Sequence, residues 1–140
     1  MSEQYGGSSR SRTGSCGLIY VVDDEVMLLE LATIILEPCG YAVKTFHDPK
    51  SALEAFTHAR PRPILLITDY AMNNMNGLAL IAACRRLEPT QKTLLVSGTV
   101  DEDIYQDSVY KPDAFVAKPY HARQLVEKVR STLASQSSDA

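Results

Sequence analysis

The chain has 140 residues, 45% of them hydrophobic, which is enough for one ordinary domain with its own core and no stapling by disulfides or a structural metal. Its net charge of -3 argues against a general nucleic-acid binder, because such proteins need a basic surface to displace counterions from phosphates. The three cysteines, Cys16, Cys39 and Cys84, form no C-x-x-C pair and fit a reduced, cytoplasmic setting, and no apolar run is long enough for a signal peptide or a membrane span.

Met1 to Ser15 is rich in Gly, Ser and Arg, so ordering it would cost backbone entropy for little hydrophobic return. Residues 1–15 are expected to be a flexible tail or linker, residues 16–135 one folded domain, and residues 136–140 a polar C-terminal tail. The apolar run Leu18-Ile-Tyr-Val-Val22 predicts a buried strand that ends in two carboxylates, Asp23 and Asp24. Val26 to Leu36, rich in Leu and Ile, predicts a helix that stops near Pro38-Cys39-Gly40, where Gly supplies a left-handed cap. Tyr41 to Phe46 alternates as a second strand, and Asp48-Pro49 starts a helix as N-cap and first turn. After the breaker Arg60-Pro-Arg-Pro63, the run Ile64-Leu-Leu-Ile67 is apolar on both faces, as a central parallel strand requires, and it ends in a third carboxylate, Asp69. Asn73-Asn-Met-Asn-Gly77 is loop chemistry. A compact helix follows from Leu78 to Leu87, with Leu78, Ile81 and Leu87 among its apolar positions and Pro89 ending it. Thr93 to Val96 is a fourth strand, Asp101 to Ser108 a polar helix, and Ala114 to Ala117 a fifth strand. His121 to Leu133 is a last helix that buries Leu125, Val129 and Leu133.

Five strand-helix alternations predict an α/β fold, a parallel sheet covered on both faces by right-handed crossovers. Such sheets carry their sites at the carboxyl edge. Asp23, Asp24, Asp69 and Ser97 all stand at strand ends there, and Lys118 follows the fifth strand. Three carboxylates in one cleft repel, and either a raised pKa or a bound cation relieves them. Mg2+ suits a sparse Asp cluster beside a phosphoryl group, whereas softer metals want ligands that His47, His58 and His121 are not spaced to supply. An Asp carboxylate can attack phosphorus to form an acyl phosphate if cations offset the charge on the equatorial oxygens; Mg2+ and Lys118 can do so, and the Ser97 hydroxyl can donate to a third oxygen.

Val22-Asp-Asp24, Asp69 followed by Met72-Asn-Asn-Met-Asn-Gly77, Ser97-Gly98 and Lys118-Pro119 together resemble the response-regulator receiver signature of two-component signalling. Each dipeptide alone is weak, but all occur in order over nearly the whole expected domain. The resemblance implies a flavodoxin-like doubly wound five-stranded sheet of order 2-1-3-4-5. It implies Asp69 as phosphoacceptor, with Lys118 and Ser97 contacting the phosphoryl group. Asp24 would bind Mg2+ directly, Asp23 mostly through water, and the Ala71 carbonyl would complete the protein ligands. It further implies a cis Lys118-Pro119 bond and a switch in which Ser97 acts with Phe115. The expected partners are a histidine kinase or histidine phosphotransfer protein and a downstream protein target. A homodimer would use the face built from the fourth helix, fifth strand and fifth helix. No direct nucleic-acid contact and no membrane association are expected, and the chain is read as a phosphoacceptor rather than an enzyme. Asn73 stands where the family usually has Pro, and Pro112 near a frequent Gly.

Plainer readings exist for each residue alone: helix caps for Asp23 and Asp24, a surface lysine for Lys118, a capping hydroxyl for Ser97, core packing for Phe115. Their common rim outweighs these for all but Phe115, where the two readings stand level. The alternative function is a pseudo-receiver that binds proteins without being phosphorylated. A phosphatase with an aspartyl nucleophile would commonly carry a second acid where this chain has Ala71. Stand-alone regulator and receiver of a hybrid kinase are equally compatible with the sequence.

Overall fold

The computed structural model describes residues 16–98 and 111–135. The polar helix expected at Asp101 to Ser108 and both expected tails lie outside the described residues. The elements are β1 (Leu18–Val22), α1 (Val26–Leu36), a 3-10 turn (Glu37–Cys39), β2 (Ala42–Phe46), α2 (Pro49–His58), β3 (Leu65–Asp69), α3 (Gly77–Leu87), β4 (Thr93–Ser97), β5 (Ala114–Ala117) and α4 (Ala122–Ala134). Every strand pairing is parallel, in the order β2-β1-β3-β4-β5.

Local chemistry sets the boundaries. Gly40, at φ 101°, ends the turn after α1 in the left-handed region that a β-carbon disfavours. The Asp48 carboxylate accepts the Ser51 amide at 2.9 Å and caps α2, with Pro49 in its first turn. Asn76 caps α3 in the same way, accepting from the Ala79 amide at 2.8 Å. The His121 amide, at the start of α4, donates to Gln124 Oε1 at 3.0 Å. Arg60–Pro61 and Lys118–Pro119 are both cis, and only the second was expected.

Because side chains alternate across a strand, the sheet divides its core in two. Ile19, Val21, Leu65, Ile67, Leu94, Val96 and Val116 meet Leu29, Ala32, Ile35 and Leu36 of α1 and Leu125 and Val129 of α4. On the other face Tyr20, Val22, Leu66 and Leu95 meet Ala52 and Phe56 of α2 and Leu80, Ile81 and Cys84 of α3. Each fully buried Leu, Ile or Phe contributes about 1.5–3 kcal/mol. β1, β3 and β4 lie inside the sheet and carry most of that burial.

Of the apolar positions of α3, Ile81 is buried with Gly77, Leu80 and Cys84, Leu78 is half-buried, and Leu87, the last residue, is 43% exposed. One expectation is corrected. In α4 the third buried position is Thr132 rather than Leu133. The threonine hydroxyl satisfies itself by donating to the Lys128 carbonyl at 2.6 Å, which lets a polar residue enter the core, while Leu133 packs half-buried at its margin. α1 is apolar nearly all round: Met27 is 80% and Ile34 69% exposed, with Val26 and Leu31 also exposed. Among the described residues no helix is long and apolar enough to cross a membrane.

Candidate functional site

Register assembles the site. Val22 pairs with Thr68 across β1 and β3, so Asp23 and Asp69 emerge side by side at the carboxyl edge. The Asp23 amide extends the ladder to Phe46 O at 3.1 Å, and its Oδ1 accepts the Glu25 amide at 2.9 Å, an Asx turn that fixes the carboxylate. Asp69 is the last residue of β3 and is buried. The Tyr70 amide donates to Val96 O at 2.9 Å and the Gly77 amide to Tyr70 O at 2.8 Å, so the loop from Ala71 to Asn76 returns directly beneath Asp69. A β-carbon at Gly77 would lie 2.3 Å from the Asp69 carbonyl oxygen, which leaves room there for glycine alone. Asn74 takes φ 75°, which Asn tolerates better than most residues.

Lys118 is placed by its own backbone, whose amide donates to Ser97 O at 2.8 Å just past β5. Its ammonium reaches Asp69 Oδ1 at 3.1 Å, Asp23 Oδ2 at 3.3 Å and Glu25 Oε1 at 3.8 Å. Carboxylate oxygens of Asp23, Asp24 and Asp69 all lie within 4.8 Å of one another. Asp23 and Asp69 are buried while Asp24 is exposed, so the cluster opens to solvent on one side.

Electrostatics follow from that crowding. Burial pushes the Asp69 carboxyl above its usual range, and the Asp23 charge raises it further against the pull of Lys118. Burial likewise raises Asp23, opposed by the Glu25 amide and by Lys118. For Lys118, burial would lower the pKa, but the hydrogen bond to Asp69 and the charges of Asp23 and Asp69 outweigh it, and the ammonium is held more firmly than usual. The Tyr120 phenol is raised by burial and then by Asp23. One ammonium thus faces two buried carboxylates with a third beside them. In an octahedron of oxygens about 2.1 Å from a small divalent ion, opposite ligands stand about 4.2 Å apart, and the three carboxylates here place oxygens within 4.8 Å of one another. A sparse set of carboxylate oxygens of this kind is the donor chemistry that a hard divalent cation takes.

Of the residues expected at the rim, Asp23, Asp24, Asp69 and Lys118 come together in direct contact or within ligand-sharing distance. Ser97 is buried at the end of β4, one residue beyond Val96, the ladder partner of Asp69. Ala71 is exposed in the loop after β3. Phe115 is the ladder partner of Leu95 and packs half-buried against the α2–α3 side of the core, on the same face of the sheet as Ser97. Two site residues were missed from sequence, Glu25 and Tyr120. The signal for the first was a carboxylate closely following Asp23 on the same loop, and for the second its place beside Lys118-Pro119.

A model of the family described as response regulator receiver domain matches residues 19–130. The DNA-binding response regulator MtrA of Mycolicibacterium paratuberculosis is 30% identical over 115 residues, covering 82% of this chain and 50% of that protein. The transcriptional regulatory protein CseB of Streptomyces avermitilis is 33% identical over 119 residues, covering 83% and 48%. The chain therefore spans about half the length of these curated relatives. Among solved structures, a CheY-like receiver domain protein of Methanospirillum hungatei superposes with a TM-score of 0.75 at 26% identity, covering 83% of this chain and 92% of that one. The response regulator TrrA of Thermotoga maritima, solved with Mg2+ and BeF, superposes at 0.72 with 27% identity, covering 82% and 97%. The chain belongs to the response regulator receiver domain family and is a receiver domain of two-component signalling.

Proposed function

We propose that this receiver takes a phosphoryl group onto Asp69 from the phosphohistidine of a kinase or phosphotransfer protein, in the cytoplasm, and signals through protein contacts. One observation carries the reading: the buried Asp69 carboxylate, 3.1 Å from a firmly protonated Lys118, shares a cleft with Asp23 and Asp24. An Asp69 carboxylate oxygen attacks phosphorus, the new P–O bond forms as the P–N bond to the donor breaks, and the electron pair leaves with the imidazole. Lys118 then moves its ammonium from the carboxylate to a phosphoryl oxygen. Ser97, whose backbone carbonyl already anchors Lys118, donates its hydroxyl to another. Asp24, Asp69 and the Ala71 carbonyl would hold Mg2+, with Asp23 acting through water, and the bound ion would supply charge neutralisation of the equatorial oxygens. No turnover of a free substrate is assigned, only acceptance and slow loss of the group.

The donor would approach over α1. Beside the rim, Leu28, Leu31, Gly98, Lys118, Pro119 and Tyr120 line an apolar hollow of about 420 Å³. On the same helix Met27 and Ile34, four residues before and three after Leu31, are exposed, and such a surface suits a partner helix. DNA binding is named for MtrA as a whole protein, of which this chain matches 50%. For the receiver itself, with net charge -3, we assign the partners to protein alone.

The test is incubation with Mg2+ and a small acyl phosphate, read by intact mass. Wild type gains one phosphoryl group; Asp69→Asn and chelator-treated wild type gain none. Equal labelling of Asp69→Asn would remove the proposal, and absence of labelling in wild type would favour a pseudo-receiver.

A further inference from the structure

At the opposite, amino edge of the sheet, two of the three cysteines are neighbours, although their 23-residue separation hides this in the sequence. The β1–β2 ladder runs beyond its strands: the Ala42 amide donates to Gly17 O at 2.9 Å and the Cys16 amide to Gly40 O at 3.1 Å. Cys16 thus sits across from Gly40 and one step diagonally from Cys39. Cys39 closes the 3-10 turn, so the ladder bond to Gly40 brings the Cys16 side chain against the end of that turn. The Cys16 sulfur lies 3.9 Å from the Cys39 carbonyl oxygen, and the Cys39 sulfur 3.6 Å from the Ile35 carbonyl oxygen. Both sulfurs act on one phenol: Tyr41 is raised first by burial, then by Cys16, with Cys39 adding to it. Cys16 is exposed and Cys39 half-buried. Cys84 is buried on the far face, its thiol pushed up to about 12 by burial.

We propose that Cys16 and Cys39 form an intramolecular disulfide when the chain meets a low-molecular-weight disulfide oxidant. The exposed Cys16 thiolate attacks the oxidant, forming a mixed disulfide and releasing one thiol. The Cys39 thiolate then attacks the Cys16 sulfur and releases the second, so two protein thiols are oxidised and one small disulfide is reduced to two thiols. The bond requires a side-chain rotation at Cys39, from Ile35 toward the ladder. Its effect is to tie the start of β1 to the turn that ends α1, fixing the far end of a helix whose near end follows Asp23 and Asp24.

The experiment equilibrates the full chain across a glutathione redox series, traps thiols with an alkylating agent under denaturing conditions, and maps peptides. The expected result is a monomer with one alkylatable thiol, Cys84, and a joined peptide holding Cys16 and Cys39. Cys16→Ser and Cys39→Ser should give no joined peptide, and the oxidised wild type should unfold at higher urea than either. A stable glutathione adduct on Cys16 without closure, a Cys16-linked dimer, or a joined peptide that includes Cys84 would each overturn the assignment.

Discussion

Gly77 stands so close to Asp69 that a β-carbon on it would lie 2.3 Å from the Asp69 carbonyl oxygen and 2.9 Å from Leu95 Cδ1. The reactive carboxylate is therefore carried by a backbone wedged between β4 and the first turn of α3. Gly77→Ala must push that turn away, and overpacking of this kind costs about 1–3 kcal/mol. Urea denaturation should show the loss, together with slower labelling of Asp69. Gly98→Ala is the control, since nothing lies within 4 Å of its added carbon, and it should leave stability nearly unchanged.

Asp23 and Asp69 are both held above the usual carboxyl range, chiefly by burial. Between the ordinary value of 3.8 and their raised values the folded chain binds more protons than the unfolded one, so stability falls as pH rises through that window. The deficit persists at neutral pH. Metal-free Asp69→Asn should then be more stable than wild type at neutral pH, with the difference closing as pH falls below the window. Mg2+ at about 100 times its dissociation constant should raise wild-type stability by roughly 2.7 kcal/mol. Asp24→Ala should lose that response; a full Mg2+ shift in it would place the ion elsewhere.

Met27 and Ile34 point away from the core of their own chain. Replacing either with Glu should leave labelling by a small acyl phosphate unchanged and slow transfer from a cognate phosphohistidine protein by about tenfold, as loss of one contact worth ~1.4 kcal/mol predicts. Equal loss with both donors would show that the helix acts on the chemistry and not on docking.

Ser97 and Phe115 share a face of neighbouring strands, and the hydroxyl is the one that can meet a new charge at Asp69. A charge-assisted hydrogen bond made in only one state is worth about 1.5–3 kcal/mol and shifts a population about tenfold or more. Ser97→Ala should still accept the group on Asp69. Its amide shifts across residues 111–120 on adding a phosphoryl mimic should be smaller than in wild type. Identical shifts would separate Ser97 from the switch.

The strands and the rim were legible because each depends on short-range signals. β1, α1 and β5 lie where their apolar runs and terminators put them, and Asp48-Pro49 and Gly40 act as cap and stop. What sequence hid depends on pairs distant along the chain. Arg85 meets Asp113 at 2.6 Å, donates to the Lys111 carbonyl, and sends Nε to Gln91 O at 3.1 Å, while Asp113 also accepts the Thr93 amide at 2.8 Å. This network seats β5 beside β4, yet Arg85 reads as an ordinary surface charge at a helix end. The exposed side of α1 escaped for another reason: an apolar helix announces burial, not which of its sides stays bare.

Asp23 and Asp69 share a cleft only because Val22 faces Thr68 across two parallel strands. A single residue inserted within Leu65–Asp69 would turn Asp69 to the opposite side of the sheet, whereas a residue added before Leu65 would leave the pairing free to re-form. The cleft is a reading frame in space: inside a strand the smallest insertion is a frameshift.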